Sequence, residues 1–116
     1  MPRELIFYKG YFMTFYLEQT PKVQEKIEYV LKLISVVERV PEKFLKHITG
    51  THGLYEIRIE HSSDIYRVFC FFDKGNLIVL LQGYKKKSQK LSTQEIKRAE
   101  RLMDQYFNDK KSENET

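Results

Sequence analysis

The sequence predicts an α+β fold of order β-α-α-β-β-β-α, in which a twisted, mainly antiparallel sheet is packed by two N-terminal helices and a C-terminal one. Three observations predict it. Apolar residues recur at helical spacing over 23–37, change to an alternation of two from residue 54, and return to helical spacing after a Ser-x-x-Glu signal at 92–95.

Residues Glu4–Tyr8 (ELIFY) are β-branched and aromatic, the composition of a short strand. Tyr8, Tyr11, Phe12, Phe15 and Tyr16 then fall near helical spacing and predict a first helix. Thr20-Pro21 opens a second one with an N-cap residue and a proline at the first helical position. Within it Val23, Ile27, Val30, Ile34 and Val37 share one face, and Pro41 should close the segment.

From Leu54, Tyr55, Ile57 and Ile59 alternate with Glu56, Arg58 and Glu60, the pattern of a half-buried strand. His61-Ser62-Ser63-Asp64 turns the chain into Ile65–Phe72, and Asp73-Lys74-Gly75-Asn76 turns it again into Leu77–Gln82. That last strand is apolar on both faces and belongs inside the sheet. Ser92-Thr93-Gln94-Glu95 is a capping box for the final helix, whose Ile96, Ala99, Met103 and Phe107 face the sheet. Residues 1–107 therefore form a single domain, and 108–116, without an apolar residue, are expected to be a disordered tail.

A chain of 116 residues suits one compact domain. Its one cysteine, Cys70, forms no internal disulfide, reads as a small core residue and points to a reducing compartment. The longest apolar runs, Val68–Phe72 and Leu77–Leu81, are too short for a membrane span, and MPRELIFYKG lacks the layout of a secretory signal. The expectation is a cytoplasmic protein with no membrane partner. The formal charge is +4, with 20 basic and 16 acidic residues, and from Lys85 to Arg101 seven basic residues stand against two acidic ones. This local excess is compatible with a nucleic-acid partner.

His47, His52 and His61 do not have the spacing of a metal site, and no metal or cofactor is expected; they read as loop histidines, with His47 or His52 able to border a site. No phosphate-binding Gly-rich loop and no Gly-x-Ser-x-Gly are present, which leaves nucleotide-dependent and serine-hydrolase classes without support. The remaining candidates are basic. Arg67 interrupts a strand that otherwise reads as buried, so it either pairs with Glu56 or Glu60 across the hairpin or clamps an anion such as phosphate. Lys85, Lys86 and Lys87, with Ser88, Gln89 and Lys90, are either a solvated loop or a donor-rich concavity before a helix, and Tyr84 either stacks on a base or packs at the strand end.

The segments GLYEIRI (53–59), IYRVFCFFD (65–73) and LIVLLQGYKKKSQKLSTQEIKRAERLMDQYF (77–107) resemble the phage-derived Gp49-like, HigB-like branch of the RelE/ParE toxin superfamily. The resemblance implies a RelE-like fold and a type II toxin that enters the ribosome and cuts mRNA without a metal, through attack of the ribose 2′-hydroxyl on the adjacent phosphate. It implies a cognate antitoxin, in the form of a helix-turn-helix protein, and ribosome and mRNA as partners. By position, Arg58 and Arg67 match basic family residues that stabilise the phosphate, and Lys85–Lys87 and Lys90 match the basic stretch after the last strand. Arg58, Arg67, Lys86 and Lys87 are thus the expected catalytic set. Lys46, Tyr84, Lys85, Gln89 and Lys90 are the residues expected to hold RNA. Glu56 stands where some members carry a lysine base and Leu91 where some carry a catalytic tyrosine, which turns the search for a proton acceptor to Lys86 or Lys87 with a depressed pKa. The alternatives are a non-catalytic toxin of the same fold, ParE-like and directed at DNA gyrase, or an inactive phage-derived binding protein.

Overall fold

The computed structural model describes residues 2–87 and 92–114. β1 (Glu4–Phe7) is followed by α1 (Tyr11–Leu17) and α2 (Pro21–Val36). Then come β2 (Leu45–His47), β3 (Leu54–His61), β4 (Asp64–Phe72), β5 (Leu77–Lys85) and α3 (Thr93–Asn114). The sheet has five strands in the order β1-β5-β4-β3-β2, with β1 parallel to β5 and the other neighbours antiparallel.

The fold is α+β as the sequence predicts, with one strand more. β2 has three residues and Lys46 at its centre, too short and polar to produce a period, and it becomes visible only through its pairing with Tyr55–Ile57. α2 begins as read, with Thr20 Oγ1 accepting from the Val23 amide at 3.3 Å. It ends earlier than Pro41, at Val36, where Val37 turns extended and Arg3 donates to the carbonyls of Ile34, Val37 and Glu38. A cation from the residue just before β1 thus satisfies orphan carbonyls at the helix end.

Side chains alternate across the strands into two cores. On one face Ile57, Ile59, Val68, Cys70, Ile78 and Leu80 meet Phe12 and Phe15 of α1 and Val23, Ile27, Val30 and Ile34 of α2. On the other, Leu54, Phe69, Phe71, Val79 and Leu81 meet Ala99, Leu102 and Met103 of α3. α3 covers only part of its face, and the strip formed by β2, β3 and the first half of β4 opens into a cavity beside it.

α3 continues through 108–114, where the sequence suggested a disordered tail. The reason lies outside the helix: Tyr8 donates to Asp109 Oδ2 at 2.6 Å, and Lys110 and Tyr106 both donate to the buried Asp73 carboxylate, at 2.6 and 2.7 Å. Polar residues that carry no hydrophobic signal are held by partners roughly 35 to 100 positions away.

Candidate functional site

β3 and β4 pair so that Arg58 lies directly opposite Arg67 on the face shared with α3. Like charges facing each other across a ladder are destabilising unless an anion lies between them. Glu56, two residues before Arg58 and on the same face, supplies part of that compensation: its carboxylate accepts from Arg67 Nη1 at 2.5 Å and lies 3.9 Å from Arg58 Nε. Arg67 and Glu56 are buried, with 5% and 6% of their side chains exposed, whereas Arg58 keeps 26% and also approaches Glu60 at 4.0 Å. Of the two readings of Arg67 that the sequence left open, the pairing with Glu56 is present, and Arg67 also lines a cavity.

That cavity, about 440 Å³, is lined by Lys46, Glu56, Arg58, Arg67 and Lys86, with His47, Ile48, Thr49 and Ile96 forming its walls. Four cationic side chains face one carboxylate. Among the described residues the buried Nε groups of Arg58 and Arg67 have no hydrogen-bond partner. Unsatisfied buried donors are costly, and a guanidinium fork matches the oxygens of a phosphate, so an oxyanion is the ligand that this lining suits. Lys86 is held below the usual lysine pKa, first by burial and then by the neighbouring Arg67 and Arg58 charges, with Glu56 acting in the opposite sense.

A β-bulge delivers Lys86 to this face. Val68 pairs with Gly83 but Cys70 pairs with Leu80, so β5 carries one residue more than β4 between them. The extra residue shifts the alternation: Gly83 is pressed against the Phe15 ring of α1, while Tyr84 joins the α3-side core and lies opposite Arg67. Lys86, whose amide donates to the Ile65 carbonyl at 2.7 Å, then enters the arginine cavity.

The lysine run is split by the same alternation. Lys85 and Lys87 line a separate cleft with Phe15, Gln19 and Tyr84, and Lys85 pairs with Asp64 at 3.4 Å. Tyr84 stacks on Phe69, ring centroids 5.7 Å apart and 15° from parallel, and its hydroxyl accepts from the Ser92 amide at 3.3 Å. One half of the capping box is present, Glu95 N–H donating to Ser92 Oγ at 3.2 Å. Ser88, Gln89, Lys90 and Leu91 lie outside the described residues. His47 packs edge-on against Tyr55 while lining the cavity. Nothing in the sequence marks the walls Thr49 and Ile96 as site residues. Ile96 reads there only as core, and no local pattern reveals that the loop after β2 and the first turn of α3 converge on one strip of sheet.

The sequence model of a family described as phage-derived Gp49-like proteins matches residues 15–104, a span that includes every described lining residue of the cavity. A search among curated proteins found no match.

Proposed function

The chain belongs to the phage-derived Gp49-like family of RelE/HigB-like toxins, and from that premise we propose that it is a ribosome-dependent mRNA endoribonuclease, restrained by a helix-turn-helix antitoxin. The observation that carries this reading is the opposed Arg58–Arg67 pair, which with Lys86 closes around one cavity and leaves two buried guanidinium donors without a partner among the described residues.

In the proposed reaction the ribose 2′-oxygen attacks the adjacent phosphorus and the bond from phosphorus to the 5′-oxygen breaks, leaving a 2′,3′-cyclic phosphate and a 5′-hydroxyl. Arg58 and Arg67 hold the non-bridging oxygens, whose charge grows in the transition state. Lys86, its charged form disfavoured by burial and by both arginines, takes the 2′-hydroxyl proton as a neutral amine. Glu56 keeps the Arg67 fork in place. The departing oxygen is protonated from solvent, to which Lys86 returns its proton after turnover. Lys87 has no part in this chemistry, since it lines the neighbouring cleft.

The test is to add the purified protein to a cell-free translation reaction and map mRNA 5′ ends, with naked mRNA and the Arg67→Ala and Lys86→Ala variants alongside. Cuts should occur only in translating samples and fall by roughly a hundredfold or more in either variant, with circular dichroism confirming that each is folded. Intact mRNA at protein levels that arrest growth would refute the nuclease reading and move the search to inhibition of gyrase supercoiling.

A further inference from the structure

A second cleft, larger than the arginine cavity at about 690 Å³, opens between the end of α1, the end of β5 and the start of α3. The cleavage chemistry assigns it no role. Its lining includes hydrogen-bond acceptors. Glu18 and Glu95 line it, and Gln19 has committed its amide nitrogen to the Phe15 carbonyl at 2.9 Å, so its oxygen is the acceptor it can offer. Gln94 adds an amide, and Phe15 an aromatic surface.

Lys87, with Lys85, also lines the cleft, while Lys86 between them lines the arginine cavity. Three consecutive residues therefore form the ridge between the two sites. A strand with one phosphate at Arg58, Arg67 and Lys86 would cross this ridge to set its next nucleotide in the cleft. The two lysines suit the backbone of such a strand and oppose a cationic side chain from a protein partner. Acceptors at the cleft wall then require donors on the base.

We propose that this cleft is a base-reading subsite for RNA that takes the nucleobase next to the arginine-held phosphate, accepting bases with an exocyclic amine and rejecting uracil. The proposal rests on the RNA-cleaving reading. Adenine, cytosine and guanine each carry an amino group that donates to a carboxylate, whereas the carbonyl oxygens flanking the N3–H of uracil are repelled by it.

Fluorescence anisotropy tests this with labelled hexamers of 2′-O-methyladenosine and 2′-O-methyluridine, whose blocked 2′-oxygens cannot attack phosphate. The wild-type chain should bind the adenosine hexamer roughly tenfold more tightly. Glu18→Gln, a change at an exposed side chain, should bring that ratio close to one, and Gln94→Leu, also exposed, should lower it. Arg67→Ala should weaken both hexamers and leave the ratio standing. An adenosine-to-uridine ratio that Glu18→Gln and Gln94→Leu leave unchanged, with Arg67-dependent binding intact, would overturn the base subsite alone. No binding of either hexamer by the wild-type chain would overturn the subsite alone, because the ribosome-dependent reading stands or falls with cleavage in the translation reaction.

Discussion

Lys86 is one of three consecutive lysines, and nothing in its local sequence distinguishes it from Lys85 or Lys87. What distinguishes it is the company of Arg58 and Arg67, whose charges add to its burial in favouring the neutral amine. The pH dependence follows with a definite sign. If neutral Lys86 accepts the proton, activity rises with pH and levels off once Lys86 is deprotonated, at a pH below the ordinary lysine value of 10.5. Lys86→Arg keeps the charge but cannot deprotonate, so it should bind RNA and cut it at a rate without that rise. The check is the pH profile of single-turnover cleavage for both proteins. Cys70, by contrast, lies wholly inside the core beneath α1 and α2, and burial pushes its thiol pKa up, which makes it a packing residue as its sequence context suggests.

The strand β5 shows how one inserted residue changes which side chains meet. With regular alternation Gly83 would share the face of Val79 and Leu81, and Tyr84 would point towards α1; the bulge opposite Phe69 reverses both. Gly83 is required at that point because a Cβ there would lie 2.7 Å from the Phe15 ring. Gly83→Ala must displace Phe15 or the strand, at a cost of about 1–3 kcal/mol. Urea unfolding measures the loss, and because the same strand carries Lys86, cleavage should fall further than stability explains. α2 illustrates the same dependence on distant partners: its start is set by Thr20 and Pro21 beside it, and its end by Arg3, which precedes β1.

The two faces of the sheet have different tasks. α1 and α2 cover one, while α3 covers enough of the other to complete a core and leaves the charged strip of β3 and β4 open. The hold on α3 depends on its last turns, where Asp109 receives Tyr8 and Lys110 meets Asp73. Truncation after Phe107 should therefore cost about 2–4 kcal/mol in denaturant unfolding, since two charge-assisted hydrogen bonds are lost and the Asp73 carboxylate is left buried without its cation. The Lys110 ammonium and Tyr106 hydroxyl hold Asp73 below the usual carboxylate value of 3.8. Its stabilisation is present above that value and lost as pH falls through the lower folded value, so the truncated chain should lose less stability on acidification than the full one. Much of this molecule was legible in one dimension. The period of Val23 to Ile34, the alternation of Tyr55 to Ile59, the turn glycine at 75 and the Ser92 cap are short-range signals, each produced by backbone geometry within a few residues, and they suffice for the α+β class. Arg67 stands out as a cation in a strand that otherwise reads as buried, whereas the role expected of Arg58 and Arg67 comes from the family resemblance. β2, the helical course of 108–114, the bulge that turns Lys86 rather than Lys85 and Lys87 to the arginines, and the walls at Thr49 and Ile96 leave no such signal. Each is decided by contacts between segments far apart in the chain, and a local pattern cannot report which distant partner will satisfy a polar group or which face a shifted strand will present.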